Sequence, residues 1–319
     1  MIIYESMIDD LETNSQLEFY EMSIESLSLN EGLDIKGKFS SMKEVVLKFF
    51  RTIREKISSF ISMIKEKLTK KKPKEKANQI EGKLNGKDGE KIAKAVGAKY
   101  KTGDKSLEKG GSEVKGAAVI GGSIVKFADF GISYHPLNVG NINNALKSQT
   151  EGIQTIDKIR ATFIKGQNRA NQDGYSKSYA KNAGVSKTGE INEELLKSSF
   201  VSQREIKVTN ITKSTINDIA EEITTAQQSL DNSEKKAKLF DSVCMKTQKY
   251  IESVKIENDD DLSNFKKSST RAINDTRVVF DSITRCIKSL SQYINTMYGV
   301  LDRIDAVCTT YNVTDDSIR

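Results

Sequence analysis

Residues 271–308 carry the clearest structural pattern in this chain, and they read RAINDTRVVFDSITRCIKSLSQYINTMYGVLDRIDAVC. Apolar side chains recur along them at intervals of three and four residues, which is the periodicity of an α-helix with a buried side. Three positions in each seven-residue repeat are apolar, so the face is wider than the seam of a two-stranded coiled coil. The pattern predicts a long helix that packs in a bundle.

The innermost positions of this helix define a candidate assembly face. It comprises Ile273, Phe280, Ile283, Ile287, Leu290, Ile294, Met297, Leu301 and Ile304. A stripe with the same rhythm runs from residue 216 to residue 254, and the polar run ENDDD at residues 257–261 separates the two stripes and offers an Asp cap for the second helix. The two stripes predict an antiparallel hairpin. Because two helices cannot cover so wide a face alone, we expect either a third helix or another subunit to complete it.

A second amphipathic helix is predicted over residues 41–70, and it is basic. Its apolar stripe comprises Val46, Phe50, Ile53, Ile57, Phe60, Ile64 and Leu68. Ser41 and Glu44 have the spacing of a capping box, which places the start of the helix near residue 41. The tail TKKKPKEK follows, and Pro73 is expected to end any helix there because proline lacks the amide donor that a helix interior needs.

Charge is segregated along the chain, although the net charge is only +6. Residues 1–34 contain nine acidic residues and neither Lys nor Arg, whereas residues 65–115 contain sixteen lysines and eight acidic residues. Apolar side chains at helical spacing within residues 9–29 predict a short acidic helix. Opposite charge and a matching apolar face lead us to expect that this acidic helix packs against the basic helix.

The middle of the chain changes character. Residues 117–127 read AAVIGGSIVKF, and a Gly-Gly pair between two apolar runs is a signal for a β-hairpin. Residues 141–165 show helical periodicity, whereas residues 166–190 are polar and rich in glycine and predict a loop. Residues 205–211 read EIKVTNI, and their alternation is typical of a strand.

These patterns divide the chain into five segments. They are an acidic N-terminal segment (1–36), a basic amphipathic helix with its tail (37–76), a Lys/Gly-rich linker (77–116), a central mixed domain (117–204) and a C-terminal helical bundle or hairpin (205–319). The predicted fold class is mainly α, with a long antiparallel helical hairpin or bundle at the C-terminus, the basic helix near the N-terminus and a small β element in the middle. The chain has only two prolines, which suits long helices.

No constellation of residues matches an enzyme signature. The single histidine, His135, precedes Pro136 in a turn and has neither a second histidine nor a Cys-x-x-Cys pair with which to bind a metal. Cys244, Cys286 and Cys308 lie on the apolar stripes, where a small hydrophobic residue is expected. The glycines lack the spacing of a nucleotide-binding loop. We therefore expect no enzyme activity, no catalytic residue, no cofactor and no metal site.

The lysines after the basic helix are candidate contacts for a nucleic acid or an acidic partner. They are Lys70, Lys71, Lys72, Lys74 and Lys76. Contact with a phosphate backbone would not depend on sequence and would weaken steeply with salt. Two other interpretations stay open, namely an ordinary solvated face and a helix on a membrane surface. A membrane partner is disfavoured, because glutamates interrupt the cationic face and no run reaches the roughly 18 apolar residues of a membrane span.

The N-terminal region resembles structural and internal virion proteins of tailed bacteriophages that infect low-GC bacteria. The resemblance lies in the acidic start MIIYESMIDDLETNSQLEFYEMSIESLSLNEG, in the helix KEVVLKFFRTIREKISSFISMIKEKL at residues 43–68, and in the lysine-rich segment and helical C-terminus that follow. It implies a non-enzymatic component of the particle, associated with the capsid, the connector or the tail. Such a protein is made in the host bacterial cytoplasm and located in the virion. Its partners are other virion proteins or copies of itself, with sequence-independent contact to DNA through the lysines.

Two other function classes remain as alternatives. One is a helical membrane-acting effector or toxin, in which GAAVIGGSIVKF at residues 116–127 would insert as a hairpin. The other is a cytoplasmic protein that binds DNA without sequence specificity, for which a steep salt dependence would be diagnostic.

Overall fold

The computed structural model of the chain is mostly helical, and its C-terminal helices pack together, which confirms the predicted fold class. The structure describes residues 19–20, 22–30, 32–68, 72–85, 117–120, 123–126, 132–163, 200–208, 210–211 and 213–310. The predicted loop at residues 166–190 and most of the predicted linker, from residue 86 onward, lie outside this part of the chain.

Six helices and five short strands follow one another along the described residues. The helices are α1 (residues 22–29), α2 (Ile35–Leu68), α3 (Pro73–Asn85), α4 (Val139–Ile159, continued by a 3-10 turn at Arg160–Phe163), α5 (Lys213–Ser253) and α6 (Asp259–Thr310). The strands are β1 (Ala117–Ile120), β2 (Ser123–Lys126), β3 (Ser133–Tyr134), β4 (Ile206–Lys207) and β5 (Asn210–Ile211).

Helix α2 begins six residues earlier than the sequence suggested. Asp34, not Ser41, caps it, because one carboxylate oxygen of Asp34 accepts a hydrogen bond from the backbone amide of Gly37 at 2.7 Å. A glycine suits that position, since a Cβ atom at residue 37 would lie 3.0 Å from the same oxygen. The predicted capping box at Ser41 and Glu44 is therefore wrong.

Pro73 begins a helix where the sequence predicted an end. The first position of a helix tolerates proline, because its amide would have no partner within the helix. The backbone amide of Lys76 donates to the carbonyl of Lys72 at 3.2 Å and closes the first turn. As a result, residues 77–85 belong to α3 and not to a linker.

The C-terminal hairpin has the predicted antiparallel arrangement. Its turn is fixed at the start of α6, where Asn258 accepts from the backbone amide of Asp261 at 2.9 Å. Asp261 in turn accepts from the backbone amide of Glu257 at 3.0 Å. Asn258 is thus the N-cap, where the sequence suggested an Asp, and the reciprocal pair resembles a capping box.

The predicted β elements are present, but they form two small sheets. Strand β1 pairs with β2 in an antiparallel hairpin with Ile120 opposite Ser123, as the Gly-Gly signal predicted, and with β5 in parallel. Strand β3 pairs with β4 in antiparallel. The predicted strand at residues 205–211 therefore divides into two strands that belong to different sheets.

The chain forms two compact units, each assembled from three separate stretches. The first contains Met1–Lys67, Gly140–Leu196 and Asp231–Ile287, and the second contains Leu68–Val139, Lys197–Leu230 and Lys288–Arg319. Helices α5 and α6 contribute residues to both. The five predicted segments remain a description of sequence composition, and the compact units cut across them.

Helix α6 forms the centre of the first unit's core. Between residues 279 and 287 almost every side chain of α6 is buried, on all sides of the helix. Three other helical elements contact α6 in this unit. Phe39 of α2 and Phe163 of the 3-10 turn pack on Phe265, near the start of α6, with ring centroids 4.9 and 5.5 Å apart. Helix α4 adds Gln149, whose amide donates to Ser282 Oγ at 3.3 Å.

Candidate functional site: the outer face of α1 and the adjoining groove

The residues predicted to form an assembly face are buried inside the chain. Each of them is at most 1% exposed, apart from Phe280 at 5%. Helices of the same chain cover them, as the contact between Ser233 of α5 and Cys286 of α6 illustrates. The predicted assembly face is therefore wrong, and a third helix of the chain, not another subunit, completes it. Helices α2 and α4 are far from α6 in sequence, so no local sequence pattern indicates that they pack on it.

The predicted contact lysines do not form one free cationic surface. Lys70 and Lys71 lie outside the described residues. Lys72 pairs with Glu75 at 2.7 Å in an exposed position, and Lys74 is exposed. Lys76 Nζ lies 2.7 Å from Asp305 and 3.2 Å from Asp302, and its hydrogen bond to Asp305 raises the pKa of Lys76. Lys76 thus contacts acidic groups of its own chain, and contact of the lysines with a nucleic acid or an acidic partner stays a prediction.

The inner face of α1 is packed on α2, as expected for the acidic and basic helices. The ring of Tyr20, in the helical residues before α1, meets the ring of Phe49 edge-on, with centroids 5.7 Å apart. The Tyr20 hydroxyl is hydrogen-bonded to Thr52 Oγ1 at 3.1 Å, and Ile24 is fully buried. At the other end of α1, Lys266 of α6 donates to Ser28 Oγ at 2.7 Å. Both ends of the helical segment are therefore fixed.

The outer face of α1 is apolar and exposed. Phe19, Met22 and Leu29 are 66%, 70% and 77% exposed, respectively. Their spacing of three and seven residues places them on one side of the helix. Single exposed apolar residues are common, but a row of large ones marks an interaction surface more often than not. This row was not among the predicted sites, although apolar residues on both sides of so acidic a helix indicate it.

A groove adjoins this outer face. It has a volume of about 1060 Å³ and lies between the turn joining α1 to α2 and the turn joining α5 to α6. Its apolar lining is Leu29, Leu33, Ile35, Met42, Ile256 and Leu262. Three lysines edge it, namely Lys36, Lys38 and Lys266, together with Asp34, Glu257 and Asp259. Leu29 belongs to both features, so the outer face of α1 and the groove form one continuous surface.

One of the two turns beside the groove, the turn before α6, is held by a lysine of α2. Lys43 Nζ donates to the backbone carbonyls of Glu252 at 2.7 Å and Val254 at 3.1 Å, at the C-terminal end of α5. A cation suits this position, because the last carbonyls of a helix have no partner within the helix. Partial burial lowers the pKa of Lys43. The contact joins α2 to the turn before α6, which lies beside the groove.

A polar cluster around Glu222 links elements of the second unit through hydrogen bonds. The Glu222 carboxylate accepts hydrogen bonds from Tyr293 Oη and from the backbone amide of Leu137, each at 2.8 Å. Burial and the contact with Glu222 raise the pKa of Tyr293, and burial also raises the pKa of Tyr134. His135 Nδ1 lies 3.1 Å from the carbonyl oxygen of Ser202. The cluster joins the strand-containing segment to α5 and α6.

The part of the chain that the structure describes contains neither a candidate metal cluster nor a candidate membrane-spanning helix. There, no group of three or more His, Cys, Asp or Glu side chains is arranged to hold a metal ion. Likewise, none of the described helices is long and apolar enough to cross a membrane. Among the described residues, the outer face of α1 with its groove is a surface on which a partner could bind.

Comparison with known proteins gives no relative for this chain. No family model, no curated protein and no solved structure matches it.

Proposed function

We propose that this chain is a non-enzymatic structural component of a tailed-bacteriophage particle, which joins other proteins through the outer face of α1 and the adjoining groove. One observation supports the assembly role above all. The helical bundle buries its long apolar face within the chain, yet Phe19, Met22 and Leu29 leave a second apolar face exposed. Exposing three large apolar side chains is unfavourable unless a partner covers them.

The phage setting comes from the resemblance of the N-terminal region, and the surface lies in that same region. The acidic start and the basic helix, which carry the resemblance, supply α1 and α2, and these two helices form most of the surface. The role in DNA contact is confined to the exposed lysines, since Lys76 is paired within the chain.

The test is the protein content of purified particles. Virions of the phage that encodes the chain are purified on a density gradient and digested, and their peptides are identified by mass spectrometry. We expect the wild-type chain at stoichiometric abundance. The double variant Met22→Glu/Leu29→Glu should be depleted from particles, because two charges would have to be buried in the contact.

The matched control is Leu239→Glu, which changes another exposed apolar residue of the first unit, 47% exposed on α5. This variant should enter particles like the wild type. If the wild-type chain is absent from intact particles while abundant in infected cells, the proposal is wrong, and binding to DNA or leakage of liposomes becomes the property to measure.

A further inference from the structure

We propose that the outer face of α1 and the lysine-edged groove form a self-complementary surface that binds a second copy of this chain about a twofold axis. The inference rests on the proposed assembly role and names the partner of the same surface. In such a dimer, α1 of each copy lies in the groove of the other, so the contact is made twice.

Shape supports a second copy as the occupant. A twofold interface requires that one continuous surface carry both a projecting part and a receiving part. Here the projecting part is the row Phe19, Met22 and Leu29, and the receiving part is the groove that begins at Leu29. Phe19 and Met22 do not line the groove of their own copy, because Tyr20 and Ile24 hold α1 by its opposite face.

Charge supports the same occupant. Residues 1–34 contain no Lys or Arg, and Glu25 is exposed on α1. The groove is edged by Lys36, Lys38 and Lys266 and also by Asp34, Glu257 and Asp259, so its edge carries both signs of charge. When α1 of one copy enters the groove of the other, Glu25 can pair with a lysine of that edge on both sides of the axis. Charge pairing of this kind fixes the register of two copies more than it raises their affinity.

The burial of α6 removes one candidate route to self-assembly and leaves the surface at α1 available. The side chains that a sequence analysis would assign to a helix–helix interface between copies, such as Ile283 and Leu290, are fully buried in the chain's own units. Dimerisation through them would require the bundle to open. The surface at α1 needs no such change.

The test is sedimentation equilibrium of the full-length chain over a range of concentrations. We expect a monomer–dimer equilibrium with a limiting mass of twice the 35.6 kDa of one chain. Met22→Glu/Leu29→Glu should raise the dimer dissociation constant by about tenfold or more, since each such residue lies near the centre of the contact. Leu239→Glu should leave the constant unchanged. Circular dichroism verifies that each variant is folded.

A charge exchange makes the test specific. Glu25→Lys and Lys36→Glu should each weaken the dimer, and their combination in one chain should recover much of the affinity. Lys36→Glu suits α2, because an acidic side chain is favourable in the first turn of a helix.

Three results would overturn the inference. The first is a monomer at every concentration, and the second is a dimer that tolerates Met22→Glu/Leu29→Glu. The third is a full chain that stays monomeric while a variant lacking residues 1–18 dimerises, because the chain's own N-terminus would then be the occupant. Incorporation into particles by a monomeric chain would defeat the dimer and leave the proposed function standing. A chain that forms the dimer but is absent from particles would defeat the proposed function and leave the dimer standing.

Discussion

Ser233 Oγ of α5 lies 3.4 Å from Cys286 Sγ of α6, in the buried core of the first unit. Ser233 lies 20 residues before the end of α5, and Cys286 lies 27 residues after the start of α6. Their contact fixes the register of the hairpin. It also shows that α5 covers the face of α6 that an isolated helix would offer to another subunit. The apolar side chains of α6 therefore pack within the chain's own core. A partner protein would have to bind to another surface.

Ile283→Ala tests whether the buried face of α6 serves folding alone. Ile283 is fully buried, so its truncation should lower the free energy of unfolding by about 2–5 kcal/mol. The mass in sedimentation should not change. Urea denaturation gives the first quantity. A variant with wild-type stability and an altered oligomeric state would show that this face is an interface after all.

Thr276→Val and Thr284→Val form a matched pair on α6. Within the described residues, the buried hydroxyl of Thr276 has no hydrogen-bond partner, whereas that of Thr284 donates to the carbonyl of Phe280 at 3.0 Å. Replacing the Thr276 hydroxyl with a methyl group should therefore stabilise the chain by about 1 kcal/mol, and the same change at Thr284 should destabilise it by about 1 kcal/mol. Urea midpoints check both. Equal effects of the same sign would contradict the assignment.

Cys244 and Cys286 should resist alkylation in the native protein. Both thiols are free and buried, and burial raises the pKa of each, well above its ordinary value for Cys244. Alkylation requires the thiolate, so both effects slow it. The measurement is iodoacetamide labelling followed by mass spectrometry in a Cys308→Ser background, with and without urea. Rapid labelling without urea would show that the core of the first unit opens readily.

Tyr293→Phe should lower the free energy of unfolding by about 1–3 kcal/mol. The change removes the hydrogen bond from the Tyr293 hydroxyl to the Glu222 carboxylate. The hydrogen bond from the backbone amide of Leu137 to that carboxylate remains. Tyr250→Phe, a change of the same chemistry on the less buried surface of α5, is the control and should have a smaller effect. An equal effect of the two changes in urea denaturation would mean that the contact with Glu222 contributes nothing.

Alkaline pH should destabilise the second unit through Tyr298. Burial raises the pKa of Tyr298 to about 12 from an ordinary value of 10.0. Between these two values the unfolded chain loses the phenolic proton and the folded chain keeps it. Stability is therefore retained below pH 10 and lost as the pH rises toward 12. The loss between pH 9 and pH 11 should be smaller for Tyr298→Phe than for the wild type, and an identical loss would contradict this assignment.

The helices with strong periodicity could be predicted from the sequence, and their ends could not. The spacing of apolar residues along α6 and along residues 46–57 of α2 identifies the buried faces, because that spacing follows from helical geometry alone. The start of α2 depends on one side chain, Asp34, which reaches the amide of Gly37. A capping residue competes with several similar neighbours, so local sequence does not decide among them.

The candidate surface was the hardest feature to predict, because exposure is a property of the whole fold. Leu27 and Leu29 are equally apolar in sequence, but only Leu29 is well exposed. The difference arises because Tyr20 and Ile24 pack on α2, which fixes the side of α1 that faces away from the core. The same dependence explains the error at α6, since two of the helices that pack on it, α2 and α4, lie far away in sequence.

Zero-length cross-linking of an isotope-mixed sample tests the central claim most directly. Equal amounts of unlabelled and nitrogen-15-labelled full-length chain are mixed, and a carbodiimide then joins carboxylates to lysines that touch. We predict mixed-isotope cross-links from Glu25 of one copy to Lys36, Lys38 or Lys266 of the other, at about half of all such links, and their loss in Met22→Glu/Leu29→Glu. Cross-links from Glu25 that join only residues of the same isotope, or none at all, would contradict the account.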